Sequence, residues 1–208
     1  MALADQLRLM VITDPVLLKG RGGDPVDVLR QAVAGGATMV QVRWKDGLPA
    51  EILELTHALV AALPVPVLVN DRVDIALAAG AAGAHLGWDD LPLDALRPNL
   101  PAGFLLGISI GTPDEAARAP ATADYWSVGP CFATPTKSDA GSPLGPEGFT
   151  ALARLAPEGL PVIAIGGITA SNAAQIMGAG AAGLAVIGAV LGAPDAQQAA
   201  HELRAAML

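Results

Sequence analysis

The chain has a single cysteine, Cys131, which excludes an internal disulfide and any cysteine-rich zinc site. Aromatic residues make up only 3% of its 208 residues although 52% are hydrophobic, so the core must be built from Ala, Val, Leu and Ile. Cationic residues are also scarce. Lys+Arg 12 against Asp+Glu 20 leave a net charge of −8, without the basic footprint that nucleic acid requires. A local basic pocket stays compatible with that balance. With 15% charged residues the chain is too apolar to be disordered, and its length allows roughly 70% of the unfolded surface to be buried. The opening Met1-Ala-Leu-Ala-Asp-Gln lacks a cationic stretch before an apolar one, so no secretory leader is expected and the cytosol is the expected compartment. Residues 176–193 form a wholly apolar run long enough for a membrane span. Five glycines interrupt it and no Lys or Arg flanks it closely, so it divides better into a helix end, a turn, a strand and a following loop.

What is abundant is punctuation, with 24 Gly and 17 Pro. Three phrases recur: Ala34-Gly-Gly-Ala37, Ala79-Gly-Ala-Ala-Gly-Ala84 and Ala179-Gly-Ala-Ala-Gly-Leu184. Each follows an amphipathic run and precedes an apolar one, as expected of a helix-to-strand turn closed by a left-handed glycine. Strands are predicted at residues 8–13, 39–43, 67–70, 84–86, 105–109, 125–129, 161–165 and 184–187. Helices are predicted at 25–34, 50–63, 74–79, 93–97, 113–119, 146–155, 171–177 and 196–207. Eight alternating units predict an α/β fold, a single-domain (β/α)₈ barrel over residues 1–208. A doubly wound open sheet remains open, because a strand count does not establish closure.

In such a barrel the chemistry lies at the C-terminal strand ends. Polar residues gather there: Thr13 and Asp14, then Gln41, Arg43 and Lys45, Asn70 and Asp71, Asp89 and Asp90, and Ser109. The segment Gly129-Pro-Cys-Phe-Ala-Thr-Pro-Thr-Lys137 follows the sixth strand, Gly166-Gly-Ile-Thr169 the seventh and Ile187-Gly188 the eighth. A period of two puts Gln41, Arg43 and Lys45 on one face and Val42 and Trp44 on the other. Asp71 and Thr169 have an alternative reading as helix N-caps, and Asp89 as a solvated loop acid. His57 and His201 fall in helical windows and read as solvated; His85, within a strand, reads as a packed histidine and Cys131 as a packing residue. The turns after strands seven and eight offer backbone N–H groups to a phosphate. Asp71 and Asp90 suit Mg²⁺, which takes oxygen ligands and keeps waters and substrate phosphates in its shell. Arg43, Lys45 and Lys137 supply donors for a second, more highly charged group. Two anion sites suggest two phosphorylated substrates, one with a diphosphate leaving group.

These motifs resemble the thiamine phosphate synthase family over nearly the whole chain. The resemblance is carried by Val11-Ile-Thr-Asp14, Val40-Gln-Val-Arg-Trp-Lys45, Val69-Asn-Asp-Arg-Val-Asp74, His85-Leu-Gly-Trp-Asp-Asp90, Gly107-Ile-Ser109, Thr134-Pro-Thr-Lys137 and Ala164-Ile-Gly-Gly-Ile-Thr169. It implies condensation of hydroxymethylpyrimidine diphosphate with hydroxyethylthiazole phosphate, through departure of diphosphate to leave a pyrimidine methylene cation. Gln41, Arg43, Lys45, Asn70, Ser109 and Lys137 would then bind the pyrimidine diphosphate, with Arg43, Lys45, Lys137 and Ser109 serving catalysis. Asp71 and Asp90 would ligate Mg²⁺. Thr134, Thr136, Gly167, Ile187 and Gly188 would bind the thiazole phosphate. The implied partners are these small molecules, with neither nucleic acid nor membrane; a homo-oligomer is left open. The chain departs from the family pattern at Trp44 (commonly Glu), Trp88 (Gln), Gly188 (Ser) and Gly111 (His). Two other readings stay in view: the related thiazole tautomerase, which relies on a His near position 111, and a non-catalytic relative that binds phosphate ligands.

Overall fold

The computed structural model describes residues 2–134 and 141–208. A short helix α1 (Leu3–Gln6) leads into strand β1 (Leu9–Ile12), and helices α2 (Pro15–Arg21) and α3 (Pro25–Ala34) follow. Then come β2 (Met39–Val42), α4 (Pro49–Ala62), β3 (Val67–Asn70), α5 (Val73–Ala79), β4 (Gly83–Leu86) and α6 (Leu93–Leu96). The remaining elements are β5 (Leu105–Ile110), α7 (Pro113–Arg118), β6 (Tyr125–Val128), α8 (Gly145–Ala153), β7 (Val162–Ile165), α9 (Ala173–Gly178), β8 (Gly183–Val186), α10 (Gly188–Leu191) and α11 (Ala196–Ala206).

All eight strands are parallel and pair in sequence order. Leu9, Met10 and Val11 of β1 lie opposite Leu184, Ala185 and Val186 of β8, which closes the barrel and excludes the open sheet. The short strands are apolar on both faces because one face fills the barrel and the other lies under helices. Many of the prolines open helices: Pro15, Pro25, Pro49 and Pro113 occupy first-turn positions, where the missing N–H costs no intrahelical bond. Asp14, Asp24, Thr112 and Asp195 cap their helices through side-chain oxygens. Gly80 closes α5 at φ 67°, in the left-handed region anticipated from the repeated Ala-Gly phrase.

Four elements differ from the sequence expectation, the first being the short helix α1, which was not predicted. Residues 15–21 form a helix where none was predicted; Gly20 and Lys19 obscure its pattern, and Leu18 is its one buried residue. The segment after β8 is not a loop but the single turn α10. Strand β2 ends at Val42, so Arg43, Trp44 and Lys45 stand on the following loop rather than alternating along a strand. The apolar run at 176–193 is divided among α9, β8 and α10, and among the described residues no helix is long and apolar enough to cross a membrane.

Candidate active site

A cavity of about 690 Å³ opens at the C-terminal ends of β2 to β7. Arg43, Lys45, Asn70, Asp71, Asp90, Ser109 and Thr134 all line it. Gln41 does not; it is buried beneath, with its Nε2 3.5 Å from Met10 Sδ. Gly167, Ile187 and Gly188 sit at the same end of the barrel after β7 and β8, outside this cavity's lining. Thr136 and Lys137 lie outside the described residues. Asp89, read from the sequence as a solvated loop acid, is exposed but does line the cavity.

The loop after β2 is held by Thr13. Its Oγ1 accepts from Arg43 N at 2.8 Å and donates to Arg43 O at 3.1 Å, so a fully buried hydroxyl fixes where the guanidinium begins. After β3, Asp71 takes φ 63°, the left-handed region that Asp adopts more readily than most residues. Its N–H donates to His85 O at 2.8 Å and Arg72 N–H donates to Asn70 O at 2.7 Å, which locks the turn. Asp71 is therefore not an N-cap; Arg72 holds that position for α5. Asp90 closes the next loop by accepting from Gly87 N at 2.7 Å.

Burial, joined by the adjacent carboxylate of Asp90, pushes the Asp71 carboxyl up to about 6. Lys45 and Arg43 oppose that rise without cancelling it. Two acids forced together beside two cations form a donor set suited to a small divalent ion, which takes one or two carboxylates and completes its shell with water and phosphate. Among the described residues no group of three or more His, Cys, Asp or Glu is placed to hold a metal ion.

The sequence did not reveal the bracing of β5. Trp88 Nε1 donates to Ser109 O at 2.9 Å, and the Arg118 guanidinium lies 5.2 Å over the Trp88 ring. Trp88 thus packs against the end of β5 rather than facing solvent freely. Gly111 N–H donates to Glu115 Oε2 at 2.6 Å, within the capped start of α7. Below Ser109 a chain of side chains runs from Ser109 Oγ to His85 Nε2 and from His85 Nδ1 to Tyr125 Oη, 2.9 Å at each step. The signals for this chain were a histidine inside an apolar strand and the sole tyrosine of the sequence.

On the opposite wall the segment after β6 is tied to β7: Cys131 N–H donates to Ile165 O and Phe132 N–H to Gly166 O. Gly166 and Gly167 take φ 98° and 63°, and a Cβ on Gly167 would fall 2.5 Å from Ala133 O. Only glycine fits there. Cys131 is fully buried and burial pushes its thiol up to about 12, so it is an inert packing residue. Thr169 does not cap α9; its Oγ1 pairs with Ser171 Oγ and its N–H donates to Asn172 Oδ1.

Residues 9–190 match the family model described as thiamine monophosphate synthase. The chain belongs to that family. A thiamine-phosphate synthase of Moorella thermoacetica is 47% identical over 190 residues, covering 89% of each chain. One from Chloroflexus aurantiacus is 45% identical over 202 residues, covering 95% of this chain and 91% of its own. Among solved structures, a thiamine phosphate pyrophosphorylase from Pyrococcus furiosus superposes with TM-score 0.87 at 35% identity, covering 99% of this chain and 98% of that one. A 3-hexulose-6-phosphate synthase, at TM-score 0.72 and 21% identity, shares the fold alone.

Proposed function

We propose that the protein joins hydroxymethylpyrimidine diphosphate to hydroxyethylthiazole phosphate, giving thiamine phosphate and diphosphate. Family membership supports the reaction. The observation that carries it is the cavity where Arg43 and Lys45 stand beside the paired carboxylates of Asp71 and Asp90, with Asn70 and Ser109 adjacent. The bond from the pyrimidine methylene carbon to diphosphate oxygen breaks and its electron pair leaves with diphosphate. The thiazole nitrogen lone pair then forms the new carbon–nitrogen bond. Negative charge grows on the leaving group, so Arg43, Lys45 and Lys137 stabilise the departing diphosphate more than the bound substrate. Asn70 and Ser109 hold the pyrimidine, with Gln41 beneath them. Thr134, Thr136, Gly167, Ile187 and Gly188 hold the thiazole phosphate, the last three through backbone N–H groups. No strong general base is required; positioning and charge suffice.

Asp71 and Asp90 would hold Mg²⁺, whose charge neutralises the leaving diphosphate. A thiazole tautomerase would need proton transfer rather than this cation and acid set, and Gly111 carries no side chain to supply it. The test is formation of thiamine phosphate from the two purified substrates with Mg²⁺, abolished by EDTA and restored by Mg²⁺. No product would sink the reading; ligand binding by calorimetry without turnover would favour a non-catalytic relative.

A further inference from the structure

Ser109 Oγ is 2.9 Å from His85 Nε2, and His85 Nδ1 is 2.9 Å from the Tyr125 hydroxyl. The three residues lie on β5, β4 and β6, so the chain passes beneath β5 to link the strands on either side. It fits because position 107 is glycine. Gly107 lies opposite both His85 and Tyr125 in the ladder, and a Cβ there would overlap the tyrosine ring and its oxygen. The two rings pack with centroids 5.5 Å apart and planes 30° from parallel, which leaves the imidazole little freedom to turn.

The direction of these hydrogen bonds follows from the tyrosine. Tyr125 is fully buried, and burial pushes its hydroxyl far above the ordinary range, so it stays neutral and keeps its proton. Among the described residues that hydroxyl has one partner, His85 Nδ1. Were Nδ1 to carry hydrogen, the phenolic proton would be buried with no acceptor, a costly arrangement. The phenol therefore donates to Nδ1, and a neutral imidazole then carries its hydrogen on Nε2. That N–H donates to Ser109 Oγ. With its oxygen already accepting, the serine hydroxyl turns its own proton away from the strand layer and into the cavity.

We propose that Tyr125 and His85 are positioning residues that set Ser109 as a hydrogen-bond donor to an acceptor atom of the pyrimidine diphosphate. The substrate in that statement rests on the function proposed above; the relay itself rests on the ligand-free geometry. Without Tyr125 the imidazole can take the other tautomer. Ser109 would then donate to Nε2 and present only lone pairs to substrate, and two acceptors facing each other repel.

Two measurements decide it. In ¹⁵N spectra of the histidine-labelled, ligand-free protein near neutral pH, His85 should show a protonated Nε2 and a bare Nδ1. The Tyr125→Phe protein should show the two tautomers mixed. A wild-type His85 protonated at Nδ1, or at both nitrogens, overturns the relay, and that reading needs no variant to fold. In kinetics, Tyr125→Phe should lower kcat/KM for the pyrimidine diphosphate by about tenfold, the scale of one misdirected hydrogen bond, and leave KM for the thiazole phosphate unchanged. In a Ser109→Ala background the same substitution should change nothing further. An equal penalty in both backgrounds overturns action through Ser109. Failure of the function reading looks different: wild-type protein would then form no thiamine phosphate, and the nitrogen shifts would still decide the relay.

Discussion

Asp71 shows how one residue couples backbone, charge and chemistry. Its left-handed φ brings its carboxyl beside that of Asp90, and burial pushes its pKa up to about 6. The folded carboxyl therefore holds a proton between its unfolded value of 3.8 and about 6, and stability from this group falls as pH rises through that window. A divalent ion competes with that proton. Mg²⁺ affinity should be steady above about pH 6 and fall by up to tenfold per pH unit below it; isothermal titration across pH would check this. Asp71→Asn and Asp90→Asn should each raise the Mg²⁺ requirement sharply, while Asp89→Asn should not. At the cationic side, Arg43→Ala and Lys137→Ala should each lower turnover on the order of 10²-fold, about 2.7 kcal/mol, with little change in Tm. Near-normal turnover in both would place the diphosphate elsewhere.

At the scale of elements, legibility followed how strongly each segment was patterned. The eight strands were readable because both their faces are apolar and glycine turns bound them. Helix α2 was not, since seven residues carrying Lys19, Gly20 and Arg21 give no clear stripe. Its support is tertiary: Arg21 donates to the carbonyl oxygens of Leu191 at the end of α10 and of Ala193 and Pro194 just past it. The hydrogen bonds of Thr13 and of the Tyr125–His85 pair were equally hidden, because the partners are distant in sequence. The polar strand ends were legible as a set; that Gln41 lies below the cavity and not on its wall was not. Gly188 opens α10 with helical backbone and is exposed, so a serine there meets no left-handed constraint. Gly188→Ser should add one hydrogen bond to an anion, about 1.5–3 kcal/mol and roughly 10- to 100-fold tighter thiazole phosphate binding, without altering pyrimidine diphosphate binding. Calorimetry with each substrate alone separates the two effects. A collapse of affinity would show that the cradle does not lie where the serine was placed.

Across the whole molecule the two ends of the barrel divide stability from chemistry. Ahead of the strands, Arg97 donates to Phe104 O and Thr122 O at 2.7 Å each and to Asp124 Oδ2 at 2.6 Å. Asp124 Oδ2 in turn accepts from Leu106 N at 2.7 Å, so one ion pair ties the end of α6 to the entries of β5 and β6. Both side chains are about two-thirds buried, and several carbonyls lose a charged donor if the guanidinium is removed. Arg97→Ala should therefore cost about 2 kcal/mol, a fall in Tm of roughly 4–8 °C for a domain of this size. The cavity lies at the far end of the same strands, and in this fold the C-terminal rim carries the chemistry while the N-terminal rim serves stability. Turnover at a temperature where the variant stays folded should thus match wild type. Arg43→Ala should give the reverse pattern, with Tm retained and turnover lost. Thermal unfolding and initial rates on the two proteins make the comparison. If Arg97→Ala lost turnover in proportion to stability, the two ends would be mechanically coupled and the division would be wrong.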